Sequence, residues 1–145
     1  MTLYVDTSSL VKLYVTEVGS EVVRQLTENA SVVATSVVAY AETRAALARL
    51  RRDGALTAGK VTSIKREFEE QWSAYLTLEA SDSLCRAAGE LAEQYHLRGF
   101  DSIHLATFAE VFRRSGGETR FSSFDDRLNQ AARKMTRVLE RKREE

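Results

Sequence analysis

Short apolar runs alternate with segments of helical periodicity along the chain. The runs are five or six residues long and rich in β-branched or aromatic residues, a pattern typical of strands buried in a parallel sheet. We predict strands at residues 2–6 (TLYVD), 31–35 (SVVAT) and 119–124 (TRFSSF), and a strand or an extended link at residues 77–81 (TLEAS).

Apolar positions spaced three and four residues apart predict helices between these strands. Asp53-Gly54 is a stop signal for the longest of the early helices. The predicted helices cover residues 8–14, 20–28, 37–52, 56–75, 81–95 and 101–114, and a last helix begins at Asp125.

The order of these elements is strand, helix, strand, helices, strand, helix. Alternation of this kind favours an α/β fold in which helices cover both faces of a mostly parallel sheet. We therefore predict a three-layer α/β/α sandwich that forms a single domain over residues 1–145. Residues 133–145 are predicted to be a charged C-terminal tail or an extension of the last helix.

Composition and charge narrow the function classes. The chain has 145 residues, 21 basic and 21 acidic, and a single cysteine, so an intrachain disulfide and a thiolate metal cluster are excluded. Neither a secretory leader nor a run of ~20 apolar residues is apparent, so we expect a cytoplasmic protein with no membrane segment. Basic residues concentrate between Arg44 and Arg66, so one face could bind a polyanion despite the zero net charge.

Four carboxylates follow the predicted strands or open the helices after them. They are Asp6, Glu42, Asp101 and Asp125. Because ligands of open parallel sheets bind at the carboxyl ends of the strands, we expect these acids to gather at one rim. Clustered carboxylates repel one another unless a cation neutralises them, and an all-oxygen set suits Mg²⁺ or Mn²⁺ better than zinc.

Each acid also has a structural explanation. Asp6, Asp101 and Asp125 stand where a helix N-cap belongs, and aspartate is a favoured cap. Glu42 is harder to explain by structure alone, because its helical neighbours include Val38 and Ala39 and form a small apolar stripe. The convergence of the four acids therefore favours a site more than any one of them does.

Four sequence blocks carry a family resemblance. They are YVDTSSLVKLY, TSVVAYAETRAAL, GFDSIHLATF and FSSFDDRLNQAA. In this order and at these intervals they resemble the signature blocks of VapC-type PIN-domain ribonuclease toxins, over nearly the whole chain. The resemblance departs from the family pattern at Ser123, where threonine is usual, and in the absence of a short apolar strand after the last helix.

The resemblance implies hydrolysis of RNA phosphodiester bonds with Mg²⁺ or Mn²⁺. Asp6, Glu42, Asp101 and Asp125 match the family's acidic quartet, as catalytic and metal-binding residues; Ser8 and Ser123 match supporting hydroxyl positions. Asp125 is preferred to Asp126 because the family has aspartate three residues before the leucine, here Leu128. The family also implies a cognate VapB-type antitoxin and a homodimer.

Two further features have both a functional and a structural interpretation. Arg49, Arg51 and Arg52 could contact RNA phosphates or simply form a solvated helix end. His104 lies three residues after Asp101 in an apolar helix, which favours a packed structural residue over a substrate contact.

Other classes fit the sequence less well. A phosphoaspartate receiver needs adjacent acids after its first strand, but Thr7 follows Asp6, and a haloacid-dehalogenase phosphatase needs a second aspartate where Ser8 stands. The alternatives that stay open are a PIN nuclease of RNA processing that is not a toxin, and a catalytically inactive PIN interaction domain.

Overall fold

The structure is a computed structural model that describes residues 1–145. Four strands and seven helices alternate along the chain. They are β1 (Thr2–Val5), α1 (Thr7–Val11), α2 (Ser20–Glu28), β2 (Val32–Ser36), α3 (Val38–Arg52), α4 (Ala58–Trp72), β3 (Leu76–Leu78), α5 (Asp82–Tyr95), α6 (Gly99–Arg114), β4 (Thr119–Ser122) and α7 (Asp126–Glu144).

All four strands are parallel, in the order β3-β2-β1-β4. The chain runs from β1 outward to β2 and β3, and then returns to place β4 on the other side of β1. The strand order therefore reverses beside β1, and the crevice outside the carboxyl ends of β1 and β4 is the place where open parallel sheets bind ligands. Asp6 follows β1 directly, and Asp125 lies three residues after β4.

The central strand β1 is buried on both faces, as its apolar run predicts. Tyr4 points into a core formed with α6 and α7, where it packs with Phe108, Phe112 and Leu128. Leu3 and Val5 point to the opposite face, into a core formed with α1, α3 and α4. Helices therefore cover both sides of the sheet, and the predicted α/β/α sandwich is confirmed.

The predicted elements differ from the observed ones mainly at their ends. The residues predicted as a strand or an extended link contain the end of a short strand, β3, which pairs with β2. α6 begins at Gly99, two residues earlier than predicted, so Asp101 is the third residue of the helix, and Arg98 rather than Asp101 is its N-cap. The charged residues after 133 continue α7 to Glu144 as a helix. None of the helices has the length and apolar character needed to span a membrane.

Candidate active site

Asp6 is fixed at the end of β1 by three hydrogen bonds. Its Oδ1 accepts from the Ser8 hydroxyl at 2.7 Å and from the Ser9 backbone N–H at 3.0 Å, and its Oδ2 accepts from the Ser123 hydroxyl at 2.6 Å. The bond from Ser9 makes Asp6 the N-cap of α1, as the structural explanation predicts. Because Ser123 follows β4, the same carboxylate also joins the ends of two neighbouring strands.

The loop between β4 and α7 is held against the end of β1 by the same two hydroxyls. Ser8 Oγ accepts from the Phe124 backbone N–H at 2.9 Å, and Ser123 Oγ accepts from the Asp125 N–H at 3.0 Å. Asp125 in turn caps α7 through a 2.8 Å hydrogen bond from the Leu128 N–H. The two serines thus bring Asp125 to the rim on which Asp6 lies.

Asp101 joins this rim from the first turn of α6, and Arg98 links it to Asp125. Arg98 Nε lies 3.4 Å from an Asp101 oxygen, and its Nη2 lies 3.6 Å from an Asp125 oxygen. The arginine side chain is 84% exposed, so these ion pairs are weak and solvent-screened. Arg98 is not among the site residues predicted from the sequence; its position three residues before Asp101, at the start of a helix, was the available signal.

The pKa of Asp101 is shifted by its burial and by the charges of the neighbouring residues. Burial raises this pKa above its ordinary value, and the negative charges of Asp125 and Asp6 raise it further, against the opposing effect of Arg98. Asp101 is therefore a carboxylate whose charged form is disfavoured in the folded protein. A cation bound among the three aspartates would relieve that repulsion.

Glu42 is held separately, by side chains from α1 and α6. Thr7 Oγ1 donates to Glu42 Oε1 at 2.6 Å, and His104 Nε2 lies 2.9 Å from the same oxygen. Burial raises the pKa of Glu42, but the hydrogen bonds from His104 and Thr7 outweigh it and hold the pKa below its ordinary value. Glu42 therefore stays ionised in its half-buried position.

His104 connects Glu42 to the core. Its side chain is 2% exposed, and Tyr4 Oη lies 2.8 Å from its Nδ1. Burial raises the pKa of Tyr4 well above its ordinary value, so the phenol keeps its proton. We assign that proton to a bond donated to Nδ1, which leaves Nε2–H to donate to Glu42. The expectation of a packed residue is correct as to burial, but it missed the contact with a candidate ligand.

The remaining predicted site residues do not all reach the rim. Arg49, Arg51 and Arg52 lie in the last turn of α3, about 10–15 Å along the helix from Glu42 and toward the opposite end of the sheet. Asp126 lies beside Asp125 but is exposed and forms no side-chain hydrogen bond to the acidic cluster. The geometry therefore favours Asp125 over Asp126, and it places Arg98 rather than the α3 arginines beside the acids.

The rim fits a hard divalent cation by its donor chemistry and its charge. Carboxylate and hydroxyl oxygens are the donors that Mg²⁺ and Mn²⁺ prefer, and Arg98 already pairs with two of the carboxylates as a positive group. As the side chains stand, no three acidic, histidine or cysteine residues enclose a metal position. Asp101 and Asp125 would have to turn away from Arg98 to bind an ion together.

The fold and this rim define a class of protein, and comparison with known proteins agrees with it. Residues 3–134 match the family model for the PIN domain. The chain therefore belongs to the PIN-domain family. The matched residues include all four sequence blocks on which the resemblance relied.

Its relatives are of the VapC type. The chain is 37% identical over 109 residues to ribonuclease VapC45 of Mycobacterium tuberculosis strain CDC 1551 / Oshkosh, an alignment that covers 75% of this chain and 76% of the relative. Ribonuclease VapC49 of strain ATCC 25618 / H37Rv matches to the same extent. The crystal structure of M. tuberculosis VapC20, a sarcin-ricin loop cleaving toxin, has the same fold, with a TM-score of 0.64 at 19% identity over 89% of this chain and 94% of that one.

Proposed function

We propose that this protein is a metal-dependent endoribonuclease that acts as the toxin of a VapBC-type toxin–antitoxin pair. Similarity to VapC ribonucleases supports the reaction class. The observation that supports the site most strongly is the meeting of Asp6, Asp101 and Asp125 at the point where the strand order reverses, where burial, and then the charges of Asp125 and Asp6, raise the pKa of Asp101.

We assign Asp6, Asp101, Asp125 and Glu42 as the residues that would hold Mg²⁺ or Mn²⁺. When bound, such an ion lowers the pKa of a water molecule, orients it for attack on phosphorus and offsets charge on the leaving oxygen. No histidine base is needed for this chemistry.

The other residues of the rim act by positioning. Ser8 and Ser123 bind opposite oxygens of Asp6 and so fix the plane of its carboxylate. Thr7 and His104 do the same for Glu42 and keep it ionised. Arg98 lies where it can contact an RNA phosphate once the aspartates bind a metal ion. Asp6 and Glu42 would therefore be oriented before substrate arrives.

Cleavage of a mixed RNA pool by the purified protein tests the activity. We expect cutting in Mg²⁺ or Mn²⁺, none in EDTA, and products with a 5′-phosphate and a 3′-hydroxyl. Folded protein that leaves every RNA in the pool intact with either metal would favour the inactive interaction domain. Cutting that persists in EDTA would contradict metal dependence.

The proposed toxin role implies binding partners and a location in the cell. We propose a VapB-type antitoxin as the cognate partner, a homodimer as the assembly, and the cytoplasm as the location. We also propose that residues 1–145 form one domain, since the residues after 133 extend α7 rather than begin a new unit.

Expression of the protein in bacteria without an antitoxin tests the toxin role. We expect growth to slow, and co-expression of the gene immediately upstream, if it encodes a short VapB-type protein, to restore it. Normal growth in the presence of abundant protein that cleaves RNA after purification would favour the alternative, a PIN nuclease of RNA processing.

A further inference from the structure

An exposed aromatic side chain lies directly beside the acidic rim. Phe100 immediately precedes Asp101 in α6, and 57% of its surface is exposed. It lines a groove of about 760 Å³ between α5 and α6 that also contains Glu42, Asp101 and Arg98. The groove therefore opens onto two of the four candidate ligands.

We propose that Phe100 stacks on an unpaired base of the RNA strand, in the nucleotide next to the phosphate that is cut. This inference rests on the proposed ribonuclease function and names the form of RNA that the site accepts. Phe100 and Asp101 line the same groove, so a strand whose phosphate lies at a metal ion held by Asp101 brings a neighbouring base within reach of Phe100.

The chemistry of the groove fits a nucleotide better than a purely apolar ligand. The flat ring of Phe100 can stack on any base, and Arg98, two residues earlier, supplies a cation for a phosphate. Val22 is equally exposed at 57% on α2, but it offers no flat face. Phe100 thus offers a stacking surface in the same groove as a cation and two of the candidate ligands.

A second exposed phenylalanine, Phe124, lies on the other side of the rim. It precedes Asp125 and is 43% exposed. Lys12 Nζ, however, lies 4.5 Å from the centre of its ring, and the ring edge occupies the space beside Gly19. Phe124 is therefore already held by its own chain, whereas no cation or other ring lies over Phe100.

A base stacked on Phe100 has to be unpaired. In an A-form duplex the bases are stacked inside the helix, and aromatic side chains bind bases of single-stranded loops, bulges and ends. The proposal therefore predicts that Phe100 contributes to binding of single-stranded RNA and contributes nothing to binding of duplex RNA.

The test compares Phe100→Trp, Phe100→Leu and Phe100→Ala with the wild type. The probe is a fluorescent single-stranded RNA 12-mer of mixed sequence. Its binding to each protein is measured by fluorescence anisotropy in the presence of Ca²⁺, and binding of the annealed duplex is measured in the same way. Stacking predicts that the tryptophan variant binds like the wild type and that leucine and alanine weaken single-strand binding about 5- to 100-fold. Val22→Ala is the matched control and should bind like the wild type.

The leucine variant separates stacking from general apolar contact. If leucine binds as well as phenylalanine, or if all four proteins bind equally, the proposal is overturned. Equal losses for single-stranded and duplex RNA would also overturn it. A wild type that binds the single strand through Phe100 but cuts no RNA would refute the proposed function and leave only the stacking contact standing.

Cys85 gives a second, independent readout. It is the only cysteine, it is exposed, and it lines the same groove as Phe100. Single-stranded RNA should slow its alkylation in the wild type and in Phe100→Trp, and should protect it less in Phe100→Leu. Protection that is the same in all variants would mean that RNA occupies the groove without stacking on Phe100, and would overturn the proposal.

Discussion

Replacing Asp101 with asparagine should abolish RNA cleavage and leave the metal-free protein at least as stable as the wild type. Mutating a residue that contacts a metal ligand typically lowers activity or metal affinity about 10- to 100-fold. Loss of a direct ligand should therefore lower the cleavage rate at least about 100-fold. The stability expectation follows from the raised pKa of Asp101, because its charge is disfavoured in the fold.

The pH dependence of this effect has a definite sign. A carboxyl group whose pKa is higher in the folded than in the unfolded protein destabilises the fold at neutral pH, where it is charged in both states. This destabilisation declines as the pH falls through the raised pKa of Asp101 in the folded protein. It is absent below the pKa of the same group in the unfolded protein. Any stability advantage of Asp101→Asn should therefore be present at neutral pH and vanish in acid.

Asp126→Asn is the matched control for Asp101→Asn. It removes the same charge from an exposed residue next to the rim. Cleavage rate and thermal unfolding in EDTA should be measured for both variants, and the control should cleave like the wild type. Full activity in Asp101→Asn would refute the site assignment, and loss of activity in Asp126→Asn would mean that Asp126 is the fourth acid.

Replacing His104 with leucine should impair both stability and cleavage. The change leaves the buried Tyr4 hydroxyl without its partner, and a buried polar group left unpaired costs about 1–3 kcal/mol. Glu42 also loses one of the two groups that orient it, so we expect cleavage to fall about 10- to 100-fold. Chemical unfolding in EDTA and the cleavage rate of the folded fraction measure the two effects separately.

Two further substitutions separate the contact of His104 with Glu42 from its contact with Tyr4. His104→Gln can place an amide N–H near the former Nε2 and so restore the bond to Glu42, whereas Tyr4→Phe removes only the bond to Nδ1. We expect glutamine to recover most of the cleavage rate, and Tyr4→Phe to lose stability more than activity. Equal cleavage by the leucine and glutamine variants would mean that His104 serves packing alone.

The fold could be predicted from sequence because its signals are local and strong. Leu3, Tyr4 and Val5 form an unbroken apolar run before Asp6, the pattern of a strand buried on both faces, and β1 is buried on both. The strand–helix alternation predicts the layers of the sandwich. The predicted start of α6 is two residues late because its N-cap, Arg98, makes no side-chain capping bond and arginine is not a favoured capping residue.

The acids could be predicted to lie at one rim because each follows a strand or opens a helix, but their partners could not. Arg98 bridges two acids that lie 24 positions apart in sequence, and His104 joins Tyr4 to Glu42 across the sheet and two helices. Such contacts depend on the tertiary arrangement, which spacing along the chain does not specify. The α3 arginines show the converse, since a conspicuous basic cluster lies away from the site.

Calorimetric titration of the protein with Mn²⁺ tests the central claim most directly. We predict saturable binding to the wild type, and binding at least about tenfold weaker to Asp101→Asn, with Asp126→Asn like the wild type. The cleavage rate should rise over the same range of Mn²⁺ concentration as the binding. Binding of equal strength to the wild type and Asp101→Asn, or cleavage without bound metal, would contradict the assignment of this acidic rim as a metal-dependent active site.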